Sequence, residues 1–136
     1  MQTQYIPTLR THPIRKAQDL AQAAELLAAA AEREGYRIAA VHPLFQYAGE
    51  GYNGPNVVTL ELDAPKLNQG LLCIKPEIGL FLPIRITLFE KSGLLCVAVP
   101  EVNLYSRLLD EPSPEAQRVL DWMEVTQDIL VRTLTG

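Results

Sequence analysis

The stretch 84-IRITLFEKSGLLCVAV-99 decides the fold. Ile84, Ile86 and Leu88 alternate with Arg85, Thr87 and Phe89, the two-residue period that sends one set of side chains to a buried face and the other set away from it. Glu90-Lys91-Ser92-Gly93 then breaks the pattern with turn residues before a second apolar run, Leu94 through Val99. Two such runs joined by a short Gly-containing link read as an antiparallel hairpin. A sheet with one apolar face needs a second layer, so the rest of the chain must supply helices to cover it.

Residues 14–34 carry the helical pattern. Ile14, Ala17, Leu20, Ala24, Leu27 or Ala28, and Ala31 share a face, and Arg15, Gln18, Asp19, Gln22, Glu25 and Glu32 lie mostly off it. Thr11 or His12 can cap the start with Pro13 in the first turn, and Gly35 can take the left-handed conformation that ends it. Residues 36–41 then read as a strand, closed by His42-Pro43. Gly49 to Asn56, GEGYNGPN, is a loop, because Gly, Asn and Pro each accept or fix unusual φ values; it is the expected place for function. Val57 to Leu62 alternates as a half-buried strand.

Asp63 can cap a short helix with Pro65 in its first turn, running through Leu67, Leu71 and Ile74 to Pro76, with Cys73 inside it. A short strand over Leu71 to Ile74 is the alternative, since four apolar residues carry too little periodicity to decide. Beyond the hairpin, Val102, Tyr105, Leu108 and Leu109 indicate a short helix. Ser113 caps a longer one with Pro114 at its first position, and Val119, Trp122, Met123, Thr126, Ile129, Leu130 and Leu134 form its apolar stripe.

The bulk properties narrow the partners. A chain of 136 residues, 48% hydrophobic and 21% charged, fits one folded domain over 1–136; at that length roughly two thirds of the unfolded surface can be buried. A net charge of -4 and a single basic pair, Arg15-Lys16, argue against gripping nucleic acid phosphates. No apolar run approaches the roughly 18 residues of a membrane helix, so no membrane partner is expected. The N-terminus lacks a basic start followed by an apolar segment, which makes the cytoplasm the expected compartment. There, two cysteines would remain reduced thiols.

The middle of the chain resembles the DUF302 family, small proteins without an established function. The residues that carry the likeness are Gly35-Tyr36, the helix start Ala64-Pro65, and above all Gly79-Leu80-Phe81-Leu82-Pro83-Ile84-Arg85-Ile86, with a span of most of residues 17 to 134. The resemblance implies a two-layer α+β fold, an antiparallel sheet of about four strands with helices on one face, and a homodimer. Two positions depart from the family pattern. Many relatives have Asn-Pro at Ala64-Pro65, and many carry cysteine where this chain has Ile84, so thiol chemistry at that position is closed to it.

The candidate chemistry is sparse. Cys73 and Cys96 lack the Cys-x-x-Cys spacing that lowers a thiol pKa; Cys96, between Leu95 and Val97, reads as a packed residue, and Cys73, two residues from Lys75, as one nearer a surface. His12 and His42 have no short ligand spacing with either cysteine, so neither a metal nor a cofactor is expected. There is no phosphate loop and no Gly-x-Ser-x-Gly. The acidic residues cluster at helix ends, where they favour the dipole. Arg85 points away from the Ile84/Ile86 face and needs an anion if that side is covered. Tyr47 and Tyr52 flank or occupy the glycine-rich loop. The expected function is a non-catalytic module that binds a small molecule or a protein partner through Arg85, Tyr52 and Lys75. The alternative is a thiol-dependent enzyme or sulfur carrier using Cys73.

Overall fold

The hairpin forms as the alternation requires. In the computed structural model, which describes residues 8–110 and 113–136, β4 (Ile84–Lys91) and β5 (Leu94–Pro100) pair antiparallel with Leu88 opposite Val97 and Lys91 opposite Leu94. Ser92 and Gly93 both take positive φ, 54° and 80°, the geometry whose twist matches that of a tight hairpin. β3 (Asn56–Asp63) pairs antiparallel with the other side of β4, and β2 (Arg37–His42) with β3. A fifth strand, β1 (Leu9–Pro13), pairs with β5, giving the order β1-β5-β4-β3-β2.

The fifth strand corrects the sequence reading at the N-terminus. Thr11 and His12 do not cap a helix; they lie opposite Ala98 and Val97 in β1. The amides of the residues that follow are also committed elsewhere. Ile14 N donates to Leu95 O at 2.8 Å, and Arg15 N and Lys16 N both donate to Leu134 O at 3.0 Å. With those donors taken, helix α1 starts only at Leu20 and runs to Arg33, capped by Asp19, whose side chain accepts from Gln22 N at 2.8 Å. Pro13 lacks an N–H, and an edge strand tolerates that. Gly35 ends α1 with φ 95°, as expected.

The remaining helices are α2 (Leu44–Tyr47), α3 (Pro65–Leu72), α4 (Val102–Leu108) and α5 (Pro114–Thr135). Ser113 caps α5 and accepts from Ala116 N at 3.2 Å. Asp63 does not cap α3. Ala64 holds the cap position without a side-chain bond, and the Asp63 carboxylate instead accepts from Arg37 at 3.0 Å and from the Asn68 amide. The Arg37 hydrogen bond, helped by Asn68, holds the Asp63 carboxyl below its ordinary range. A 3₁₀ turn at Pro76–Phe81 leads through the cis Leu82–Pro83 peptide into β4.

Leu60, Leu62, Ile84, Ile86, Leu88, Val97 and Val99 are buried on one side of the sheet, where they join Leu27, Ala31, Leu67, Leu71, Leu120, Met123, Leu130 and Leu134 of the helices. α1 packs against β2, β3 and β4, and α5 against β1, β5 and the other helices α1, α3 and α4. The helices thus cover one face, as the alternation implied. No helix among the described residues is long and apolar enough to cross a membrane.

Two contacts fix α5 in place. Tyr36, directly after Gly35, sets its ring 5.0 Å from Trp122 and its hydroxyl 2.6 Å from Thr126 Oγ1. Because the Thr126 hydroxyl donates to Met123 O at 3.1 Å, Tyr36 is the donor in the shared bond. On α3, Gly70 lies so close to α5 that a Cβ there would overlap the Val119 side chain. Gly70→Ala is therefore expected to destabilise the protein by about 1–3 kcal/mol, despite alanine's better helix propensity. Chemical denaturation checks this, and Gly70→Ala combined with Val119→Ala should restore part of the loss.

Burial pushes the Tyr36 phenol from 10.0 up to about 12, with the nearby Glu34 charge adding to the effect. The folded state thus favours the neutral phenol. Its contribution to stability is full below pH 10 and is lost as pH rises from 10 to about 12. Tyr36→Phe should cost about 1 kcal/mol at pH 7 through the lost hydrogen bond. Across that alkaline window, thermal melts should show the variant losing less stability than the parent.

Candidate functional site

The outward face of the sheet carries the arginine singled out in the sequence. Arg85 lies directly opposite Glu61 on the neighbouring strand, and its Nε stands 3.3 Å from Glu61 Oε1. His42 Nε2 approaches the same oxygen at 3.2 Å, and Tyr47 meets the His42 ring edge-on at 6.2 Å. Beside them Thr59 and Thr87 share a hydroxyl contact of 2.8 Å. The anion that Arg85 needs is therefore part of the fold. Glu61 is well covered, at 17% side-chain exposure, whereas Arg85 is half exposed at 53%; one shared carboxylate thus serves two neighbours on an open face.

The three expected ligand residues do not converge. Lys75 Nζ pairs with Asp110 at 3.4 Å near the 3₁₀ turn. Tyr52 donates to Pro55 O at 2.6 Å within its own loop. That loop enters β3 at Asn56, opposite Glu90, whereas Arg85 sits opposite Glu61; five residues of strand separate the two, roughly 17 Å. Cys73 is exposed and follows the last residue of α3, while Cys96 is half-buried in β5. His12 and His42 lie on strands at opposite edges of the sheet. Among the described residues, no group of three or more His, Cys, Asp or Glu side chains is placed to hold a metal.

The structure brings together a different set at the hairpin end. Leu20, Ala21 and Ala24 of α1, Val41 of β2, Pro43, Phe45 of α2, Val58 of β3 and Glu90 of β4 line a mostly apolar groove of about 490 Å³. Asp19 and Asn56 stand at it too. Alanines at two of the α1 positions leave room that larger side chains would fill. Val41 remains 50% exposed as a result. A second, more polar hollow of about 370 Å³ adjoins it between residues 53–56 of the loop and the β4–β5 turn, and the two share Asn56 and Glu90. The glycine-rich loop thus borders the groove, but Tyr52 does not line it.

Sequence reasoning missed Val41, Phe45 and Glu90 because they come from separate elements and none belongs to a motif. The one available signal was Glu90 itself. It stands where the Ile84, Ile86, Leu88 alternation calls for a buried apolar residue. A second feature hidden from the sequence is Gln127, 1% exposed on α5 with neither atom of its amide hydrogen-bonded among the described residues.

No curated protein matches the chain. Among solved structures, it is similar to the crystal structure of an uncharacterized conserved DUF302 protein from Bacillus stearothermophilus, with a TM-score of 0.72. The likeness covers 93% of this chain and 95% of that one at 16% sequence identity, and so establishes a shared fold. The family model described as domain of unknown function DUF302 matches residues 11–129. That span includes all of the sheet but its first two residues, and most of α5, and with it the chain belongs to the DUF302 family.

Proposed function

We propose that the protein is a non-catalytic module that binds a small molecule, and that the groove at the hairpin end is its site. The observation that carries the reading is a cavity of about 490 Å³ with an apolar lining and few polar groups, within the roughly 300–1,000 Å³ typical of ligand sites. Among the described residues its lining holds no Ser, Cys or His, and its ionisable side chains are the carboxylates of Asp19 and Glu90, with no second group set to act with either. Of the residues expected from the sequence, Tyr52 lies on the bordering loop; Arg85 and Lys75 are engaged by Glu61 and Asp110. The neutral dye N-phenyl-1-naphthylamine should brighten on binding the protein. Val41→Trp fills the mouth of the groove from an exposed strand position and should weaken that binding at least tenfold. Equal binding by the two proteins sinks the proposal.

The homodimer that goes with the family resemblance has a face to use. The outward side of the sheet carries Leu9, 58% exposed, with Phe89, Cys96 and Ala98 half-buried; covering such a side is a common source of dimer stability. The partner in this reading is a second copy. Sedimentation should give a dimer at micromolar concentration and a monomer for Ala98→Arg, which would bury a charge in the covered face. A monomeric parent protein removes this second reading.

The thiol alternative rests on Cys73 alone. Its exposure favours reaction with reagents, but the nearby Lys75 is paired with Asp110, which weakens it as a source of thiolate activation.

A further inference from the structure

We propose that the groove selects ligands with an apolar body and a cationic amine head, and that Glu90 receives the head. This inference rests on the groove being a ligand site and goes on to name the class of ligand. Three observations carry it.

First, Glu90 is a half-buried carboxylate without a hydrogen-bond or ion-pair partner among the described residues. Its cross-strand neighbours are Asn56 and Leu95, both neutral. An unpaired carboxylate beside an apolar lining is placed to form a charge-assisted hydrogen bond with a cation from outside. The nearest basic residues do not serve it. Lys91 follows it in the strand, and by alternation its side chain leaves the opposite face. Arg15 shares a neighbouring hollow with Glu90 and forms no ion pair with it.

Second, among the described residues the only other charge lining the groove is also negative. Asp19 stands at the N-terminus of α1, a place that would otherwise attract anions through its free amides and dipole. Its own carboxylate already occupies that role, accepting from Gln22 N at 2.8 Å, and Gln22 Oε1 in turn accepts from Gln18 N at 2.7 Å. The cap thus fixes a negative charge at the helix end, beside the groove. An incoming carboxylate or phosphate would meet two negative charges, Asp19 and Glu90.

Third, apart from Asn56 and Pro43 the remaining lining is aliphatic or aromatic: Leu20, Ala21, Ala24, Val41, Phe45 and Val58. A fully polar cation would leave that surface wet. A primary alkylammonium satisfies both parts, with its chain along the α1 and β2 side chains and its ammonium at Glu90.

Calorimetric titration with three eight-carbon probes, octylammonium, octanol and octanoate, separates the possibilities at pH 7. Octylammonium should bind at least tenfold tighter than octanol, and octanoate weakest of the three. Glu90→Gln should remove the preference for octylammonium over octanol, and Glu90→Lys should shift the preference to octanoate. If the parent protein binds octylammonium and octanol equally, or if Glu90→Gln keeps the preference, the assignment of the head group is overturned while the groove remains a site. If none of the probes binds, or if Val41→Trp binds all three as the parent does, the groove itself is not a ligand site, and the inference falls with it.

Discussion

The inner face of β3, β4 and β5 has to be covered, and α5 is the element that makes the cover hold. Its stripe of Leu120, Met123, Leu130 and Leu134 is almost fully buried; at roughly 1.5–3 kcal/mol per large apolar side chain, that stripe is worth more than any polar contact in the molecule. The stripe places α5 but does not by itself orient it. Orientation comes from Tyr36 on Thr126, from the Gly70 notch that admits Val119, and from the Leu134 carbonyl, which accepts from Arg15 and Lys16. That last bond links the end of α5 to the chain leaving β1. The cover and the edge strand therefore depend on one another.

This mutual dependence explains what the sequence could and could not show. The hairpin was legible because its period and its turn are local, and the caps at Ser113 and Gly35 were legible for the same reason. The start of α1 was not. Ile14 and Ala17 fall in phase with Leu20 and Ala24, so the helical pattern runs on past the point where the helix begins. What stops it is a set of amides bonded to residues about 80 to 120 positions away, Leu95 and Leu134, and no local pattern carries that information. The same long-range pairing turned Leu9–Pro13 into a fifth strand. Arg85 was read correctly as a residue facing away from Ile84 and Ile86, but its partner, Glu61, lies on another strand 24 residues distant.

The family motif Gly79 to Ile86 also gains a physical meaning. Ile84 is 1% exposed, on the core side of β4. A cysteine at this position in this fold would be enclosed by apolar side chains, where a thiolate is disfavoured and the residue packs as a small hydrophobe. The departure at Ile84 therefore removes little chemistry from this chain. It exchanges one core residue for another.

The two solvent-facing regions with unusual composition differ in how their charges are settled. On the outward face, Glu61 lies between Arg85 and His42, and the fold supplies every partner that these groups need. Such a surface is complete as it stands, with no charge left over for a further group. At the hairpin end, Glu90 breaks the apolar alternation of its strand and has no partner of its own among the described residues. A carboxylate in that position gains no ion pair from the fold, while an apolar residue there would have extended the core. A strand tolerates such a substitution most easily at its end, next to the turn, where water still reaches the side chain. Glu90 at the groove and the buried, unpaired amide of Gln127 on α5 are thus two places where this fold departs from the sequence best suited to its own stability, and such departures concentrate at functional or strained sites.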